Sequence, residues 1–223
     1  MAAPRAISDN LFVLEDICNV YLIRDGHRGV LIDLGSGRIL DHLPALGVSQ
    51  IDWILHTHHH RDQAQGDPLA IAHGIPIAVP AHERHLFEDV ERLWANRRVF
   101  ELYQIRNDFF SLTQDVPVNA VLRDYEVFRV GSREFIVQSS PGHTIGSISL
   151  LTVVDGRLVA FTGDLIHSSG KIKTMYDLQY YYQEHEGVDF AIYSLAELLK
   201  LKPQVACPSH AKRSSIRSPP WPP

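Results

Sequence analysis

The stretch "ILHTHHHRDQAQG" (residues 54–66) joins an apolar segment to a dense run of histidines followed by an aspartate. The overlapping segment "IDWILHTH" (51–58) predicts a buried β-strand, so the polar residues begin where that strand leaves its sheet. Side chains two residues apart in an extended chain point the same way. Those that share one side here are His56, His58, His60 and Asp62. Imidazoles and carboxylates bind Zn²⁺, so this HxHxD run predicts most of a metal site, although histidines after a strand are also a common surface feature.

Three later motifs decide between these two interpretations. They are "SSPGHTIGS" (139–147), "FTGD" (161–164) and "CPSH" (207–210). Each motif follows or interrupts a predicted strand and therefore places a polar side chain in a loop at a strand end, where functional residues concentrate. The three side chains are His143, Asp164 and His210. Together with the histidine run, they make a metal site the favoured interpretation.

The four motifs, in this order, resemble those of the metallo-β-lactamase superfamily, and specifically of its glyoxalase II-like hydrolases. "THHHRDQ" resembles the family motif THxHxDH, "PGHTIGSISLL" resembles its PGHTxGS loop and the following strand, and "TGD" and "PSH" resemble its last two motifs. "LIDLG" (31–35) also resembles an early strand of the family that ends in an aspartate. The resemblance extends from about residue 10 to residue 210.

The resemblance implies a role for each polar residue of these motifs. The ligands that it implies for a first metal are His58, His60 and His143, those for a second metal are Asp62, Gln63 and His210, and Asp164 bridges the two. His56 occupies the strand position before the motif, so we interpret it as a neighbour rather than a ligand. Gln63 stands where the family has histidine, and its neutral amide oxygen is a weaker zinc donor than imidazole. We therefore expect a weaker second site, in which Gln63 coordinates metal or hydrogen-bonds to bound water.

The implied cofactor is Zn²⁺, as one or two ions, and iron or manganese is also compatible with histidine and carboxylate ligands. The implied reaction is hydrolysis, in which a metal-bound hydroxide attacks the activated carbonyl of a small ester, thioester or lactone. Asp62 is the catalytic candidate, because its carboxylate can orient water or accept its proton. The alternatives are a β-lactam hydrolase, an iron-dependent dioxygenase-like member of the superfamily, and a metal-binding module with weak catalysis.

The pattern of apolar residues predicts two sets of strands, each followed by helices. "NVYLIRDGHRGVLIDLG" (19–35) and "SISLLTVVDGRLVAFTGD" (147–164) each predict a hairpin. Helices are predicted over "GRILDHLPALG" (37–47), residues 81–98 and "GVDFAIYSLAELLKLK" (187–202). We therefore predict an α/β protein with a four-layer αββα sandwich. The domain should extend over residues 1–210, and a Pro- and Ser-rich tail over 211–223 is expected to be disordered or truncated.

Two segments are candidates for the walls of a substrate cleft. The segment 81–118 is rich in aromatic and other large apolar residues and predicts either a helical cover over the cleft or an outer layer of the core. These residues are Phe87, Leu93, Trp94, Phe109 and Phe110. After Asp164, Lys171 and Lys173 could pair with a substrate carboxylate or phosphate, or could be solvated surface residues. Neither segment identifies the acyl group.

The composition of the chain excludes several functional classes. The 223 residues are 45% hydrophobic and 21% charged with a formal net charge of −5, which is typical of a globular protein and offers no basic face for nucleic acid. The chain has no run of about 20 apolar residues that would span a membrane, so we expect a cytoplasmic protein that acts on a small-molecule substrate. Cys18 and Cys207 each lie in an apolar stretch, which predicts buried thiols. No pattern predicts the oligomeric state.

Overall fold

Two β-sheets form the centre of the molecule. The structure is a computed structural model that describes residues 3–96, 111–166 and 187–210. The seven strands of the first sheet lie in chain order and are β1 (Arg5–Ala6), β2 (Leu11–Glu15), β3 (Asn19–Asp25), β4 (Arg28–Ile32), β5 (Gln50–Leu55), β6 (Ile77–Pro80) and β7 (Ala120–Leu122). The second sheet has the order β12-β11-β10-β9-β8, formed by β8 (Val127–Val130), β9 (Arg133–Ser139), β10 (Ile148–Val154), β11 (Arg157–Gly163) and β12 (Val205–Pro208).

The pairing of the strands explains where the sequence motifs lie. Strands β1 to β4 are antiparallel, whereas β4 to β7 are parallel. In the second sheet β8 to β11 are antiparallel, and β12 runs parallel to β11. The carboxyl ends of β5, β11 and β12 therefore lead into the histidine run, the "TGD" motif and the "CPSH" motif. The predicted hairpins are confirmed as β3–β4 and β10–β11.

Helices cover the outer faces of both sheets. The described α-helices are α1 (Arg61–Ala64), α2 (Asp67–Ala72), α3 (Arg84–Glu88), α4 (Val90–Asn96) and α5 (Val188–Lys200). Short 3₁₀ helices occupy Arg38–His42, Pro44–Leu46 and Ala81–Glu83.

Three apolar clusters separate the four layers. The cluster between the sheets contains Tyr21 and Phe161, whose rings meet edge to face with 5.3 Å between centroids. A second cluster lies between the first sheet and its helices and includes Phe87. A third joins the second sheet to α5 through residues such as Leu151 and Leu198. The predicted αββα sandwich is confirmed.

Two of the predicted helices differ in detail from the structure. Residues 38–46 form two 3₁₀ segments rather than one α-helix, because Pro44 has no N–H to continue the helical hydrogen bonds. This segment ends at Gly47, which adopts a left-handed conformation with φ 73°. The predicted helix over 81–98 is broken at Asp89, whose φ of −140° and ψ of 59° are not helical. Phe87 and Val90 lie on either side of this break, and both are buried.

Two predictions from composition can be compared with the described residues. Cys18 and Cys207 are buried free thiols, as predicted. None of the described helices combines the length and apolar character that a membrane crossing requires. The predicted tail, 211–223, lies outside the described residues.

Candidate metal centre

The first part of the site follows from the end of β5. His58 is fully buried, and its Nδ1 lies 3.1 Å from Thr57 Oγ1. The Thr57 hydroxyl donates to Asp33 Oδ2 at 2.9 Å, so it can only accept from His58. His58 Nδ1 therefore carries the proton, and the lone pair is on Nε2. Nε2 is buried and has no hydrogen-bond partner among the described residues.

Three histidines from distant parts of the chain converge at this atom. One ligand atom each from His58, His60 and His143 lies within 4.8 Å of the other two. His143 Nε2 lies 2.9 Å from His60 Nδ1, and the three pairs of ring centroids are 4.7, 4.8 and 4.9 Å apart. Three nitrogen atoms therefore surround one point, which is an arrangement that can hold a metal ion.

The burial of these rings determines their charge. Burial lowers the pKa of His58 to about 3 and the pKa of His60 well below its ordinary value. Both imidazoles are consequently neutral near pH 7, and neutral imidazole is the form that binds metal.

A second group of polar side chains adjoins the three histidines. His210 Nε2 lies 3.0 Å from Asp62 Oδ2 and 3.4 Å from Asp164 Oδ1. The other carboxylate oxygen of Asp164, Oδ2, lies 3.2 Å from His143 Nε2. Asp164 thus places one oxygen toward each group, which is the geometry of a bridging ligand.

Gln63 lies beside Asp62 in this second group. Its side chain is fully buried, and its Nε2 donates to Asp62 Oδ2 at 3.2 Å. The amide oxygen Oε1 is buried and has no hydrogen-bond partner among the described residues. Because a buried polar atom without a partner is costly, this oxygen is available to a ligand.

Strand β3 determines the position of His210. Asn19 Nδ2 and Tyr21 Oη donate to the carbonyl of Pro208 at 3.0 and 2.7 Å, and Asn19 N donates to the carbonyl of Ser209 at 2.6 Å. The N–H of Ser209 donates to the carbonyl of Gly163 at 2.9 Å, next to Asp164. Hydrogen bonds with Asn19, Tyr21 and Gly163, all far from His210 in the sequence, therefore fix the segment immediately before it. Sequence reasoning missed Asn19 and Tyr21, because both appear there as ordinary strand residues.

His56 lies outside the group of three histidines, in agreement with its interpretation as a neighbour. Its Nε2 lies 3.0 Å from Asp67 Oδ1, and its Nδ1 lies 3.4 Å from Asp33 Oδ1. Burial alone would lower the pKa of His56, but Asp67 and Asp33 outweigh it and raise the pKa to about 10. His56 is therefore a buried cation that pairs with these two carboxylates, and it lies two positions before His58 in the chain. Asp67 was not predicted.

Glu83 is a second buried carboxylate that sequence reasoning missed. It accepts hydrogen bonds from His59 and from the loop that contains His143. Burial alone would raise the pKa of Glu83, but His59, His58 and the hydrogen bond from Thr144 lower it to about 2. The predicted long helix obscured its position, since Glu83 ends a 3₁₀ turn directly after β6.

The predicted cleft walls are only partly described. Phe87 is fully buried in the core, and Trp94 packs against the same cluster and donates from Nε1 to the carbonyl of Leu112 at 2.8 Å. For these residues the outer core layer is the correct interpretation. The remaining candidates lie outside the described residues; they are Phe109, Phe110, Lys171 and Lys173.

Sequence comparisons show that this chain is similar to known hydrolases. A family model described as "Metallo-beta-lactamase superfamily" matches residues 13–210. The chain is 30% identical over 126 residues to a beta-lactamase hydrolase-like protein of Xylella fastidiosa. These residues are 56% of this chain but only 26% of that protein. It is 24% identical over 202 residues to the acyl-coenzyme A thioesterase MBLAC2 of Bos taurus, covering 76% of this chain and 68% of the relative. A hydroxyacylglutathione hydrolase of Methylococcus capsulatus is 27% identical over 162 residues, with 71% and 51% covered.

A solved structure shows the same fold. A metallo-β-lactamase from Cronobacter sakazakii, described by its HARLDQ motif, superposes on this structure with a TM-score of 0.69 at 20% sequence identity. The superposition covers 92% of this chain and 79% of the Cronobacter chain. That motif ends in Asp-Gln, as does "HHHRDQ" (58–63) in this chain. The predicted resemblance to the superfamily is confirmed, and the relatives include hydroxyacylglutathione hydrolases, that is, glyoxalase II enzymes.

Proposed function

Because the chain belongs to the metallo-β-lactamase superfamily, we propose that it is a metal-dependent hydrolase of small acyl substrates. The observation that carries this proposal is the convergence of His58, His60 and His143, all buried, on one point. The activity of the whole protein is part of the proposal, since the chain spans only 26% of the length of the Xylella relative.

The three histidines fit a metal ion in number and chemistry, and burial keeps two of them, His58 and His60, neutral. Catalytic zinc sites characteristically combine three protein ligands with one open position. The buried Nε2 of His58 has no partner among the described residues, and a metal would satisfy it. A bound Zn²⁺ would supply a Lewis acid and would lower the pKa of water toward about 7. We assign His58, His60 and His143 as its ligands.

The carboxylates of the site supply charge and a proton acceptor. Asp62 is the proposed catalytic residue, because its Oδ2 lies beside His210 and Gln63 and can accept a proton from a water held there. Asp164 holds the two groups of ligands together through its two oxygens. Two carboxylates also balance the charge of a divalent cation in this buried site.

The second metal position is proposed to be the weaker one. Asp62, Asp164 and His210 would hold this metal, and the buried Oε1 of Gln63 would either coordinate it or accept a hydrogen bond from bound water. An amide oxygen is neutral and binds zinc less tightly than imidazole does. Gln63→His should therefore raise the affinity of the second site and accelerate turnover. A titration of the unaltered chain that gives two equally tight sites would contradict this assignment.

Thioesters are the proposed substrate class. Two of the relatives are named for hydrolysing acyl groups carried by coenzyme A or glutathione, and both carriers bear the acyl group on sulfur. Esters and lactones present a carbonyl of the same kind and would react by the same chemistry. β-Lactam hydrolysis is the competing outcome, since the solved relative described above is a β-lactamase.

The test combines metal quantification with a panel of thioesters, lactones and β-lactams. Protein purified from its native host distinguishes zinc from iron or manganese, and thereby a hydrolase from a redox member of the superfamily. His58→Ala should abolish turnover and remove bound metal. His73→Ala is the matched control, because His73 lies on the surface at the end of α2. Equal activity in the two variants would refute the proposed centre. If the protein binds metal but hydrolyses no substrate of the panel, the result would favour a metal-binding module with weak catalysis.

A further inference from the structure

The proposed first metal site is formed by segments from both sheets. His58 and His60 follow β5 in the first sheet, whereas His143 lies in the loop between β9 and β10 in the second. A direct backbone contact joins the segments where Ile148 N donates to the carbonyl of Thr57 at 3.0 Å. A tetrahedral site tolerates little displacement of its ligands. The relative position of the two segments therefore decides whether the three nitrogen atoms converge.

One carboxylate lies between these segments and contacts both. Glu83 Oε2 accepts from the backbone N–H of His59 at 2.7 Å and lies 3.0 Å from His59 Nδ1. Its other oxygen, Oε1, accepts from the backbone N–H of Gly146 at 3.1 Å and from the hydroxyl of Thr144. His59 stands between two proposed ligands in the chain, and Thr144 directly follows the third.

The division of these bonds between the two oxygens is the informative feature. The side chain of Glu83 is fully buried and receives two donors on each oxygen, so the roughly four acceptor positions of a carboxylate are all used. None remains for a substrate. The carboxylate is thus directed entirely at the loops that carry the ligands.

We propose that Glu83 is a positioning residue, which holds the histidine run of the first sheet and the His143 loop of the second at the separation that metal binding requires. This inference rests on the proposed metal centre. Glutamine is the informative replacement because it has the same shape but only one acceptor oxygen. Its NH₂ group would face the N–H donors of one segment, so the substituted side chain could hold only one of the two loops.

A purely structural role for Glu83 would make a different prediction. It would lower the stability of the metal-free protein without altering the geometry or affinity of the site once the chain is folded. A positioning role should change the absorption spectrum of bound Co²⁺, which reports ligand geometry, and should weaken Zn²⁺ binding in protein that remains fully folded. Residues that orient metal ligands typically contribute about 10–100-fold to metal affinity.

The experiment measures Zn²⁺ affinity by competition with a chromogenic chelator, together with the Co²⁺ spectrum and the urea unfolding of the metal-free protein. Glu83→Gln should weaken Zn²⁺ binding by about 10–100-fold and shift the Co²⁺ bands. Thr144→Val, which removes one donor without changing charge, should produce a smaller change in the same direction. The double variant should resemble Glu83→Gln alone, since both changes remove the same connection. Glu91→Gln, an exposed carboxylate on α4, is the matched control and should behave as the unaltered chain.

The outcomes separate the inference from the proposed function. If the unaltered chain binds Zn²⁺ and Glu83→Gln binds it equally well with the same Co²⁺ spectrum, the inference alone is overturned. If Glu83→Gln does not fold, Thr144→Val decides, and unaltered affinity and spectrum in that variant overturn the inference. If the unaltered chain binds neither Zn²⁺ nor Co²⁺, the proposed metal centre is refuted and the role of Glu83 falls with it.

Discussion

Replacing Asp67 with asparagine tests the buried ion pair between Asp67 and His56. Asp67 Oδ1 lies 3.0 Å from His56 Nε2, and both side chains are fully buried. The pKa of His56 is raised from 6.5 to about 10, and each pKa unit corresponds to about 1.4 kcal/mol, so its charged form contributes at most about 5 kcal/mol below pH 6.5. Burial raises the pKa of Asp67 and of Asp33, which offsets part of this stabilisation. Asp67 is the nearer of the two carboxylates to His56. Asparagine keeps the hydrogen bond but removes the charge, and we expect a loss of about 3 kcal/mol in the free energy of unfolding.

The pH dependence of this loss identifies its cause. The folded pKa of His56 is raised, so the stabilisation is fully present below pH 6.5 and disappears as the pH rises through about 10. The difference between the unaltered chain and Asp67→Asn should therefore be large at pH 6.5 and should narrow toward pH 10. Urea unfolding of metal-free protein measures this difference in the free energy of unfolding. Glu134→Gln, which removes the carboxylate of an exposed ion pair with Arg129, is the control and should change little. A loss below about 1 kcal/mol at pH 6.5, or one independent of pH, would refute the charged state of His56.

Three further predictions concern the core, a close backbone contact and a buried acid. Phe161→Ala, between the sheets, should cost about 3–5 kcal/mol in urea unfolding, whereas Val153→Ala at the surface should change little; equal effects would contradict the assigned core. Gly142→Ala would place a Cβ 2.7 Å from the backbone of Ala191 in α5, so the His143 loop must move, and both the melting temperature and Zn²⁺ affinity should fall. Glu83 has its pKa lowered from 4.5 to about 2, so its stabilisation is present above pH 4.5 and is lost as the pH falls through about 2. The stability advantage of the unaltered metal-free chain over Glu83→Gln, followed by circular dichroism, should vanish over that range, and an advantage that persists at pH 2 would contradict the prediction.

The fold was predictable because its signals are local. Alternating apolar residues and Gly-bearing turns mark the hairpins, and Gly156, with φ 75°, ends the turn of β10–β11 as expected. The helices were predicted less accurately, since apolar spacing alone does not show where a helix breaks. Pro44 provided a signal for one break. Asp89 provided none, because no glycine, proline or other local signal in the sequence marks its non-helical φ and ψ.

Alternation along an extended chain could not distinguish the proposed ligands from their neighbour. His56, His58 and His60 share the same phase in the sequence, yet His56 contacts Asp67 while the other two join His143. The rule fails because β5 ends at Leu55 and α1 begins at Arg61, so the residues between them are not part of a regular strand. The family motif assigned these roles where periodicity did not.

Residues that bind a ligand and residues that position the binding groups leave different traces in a sequence. Histidines in a short run are recognisable because their chemistry is unusual for a strand end. Glu83, by contrast, resembles any surface carboxylate, and its partners are 24 and 61 residues away in the chain. A buried carboxylate is unfavourable unless it is paired or fully hydrogen-bonded, so its burial in the fold indicates that its partners are fixed. Applied to this protein, that reasoning draws attention to Asp33, Asp67 and Glu83, which are buried as whole residues and lie outside the proposed ligand set. Each contacts the histidine run, so the charges that the fold buries there lie against the segment that carries two of the proposed ligands.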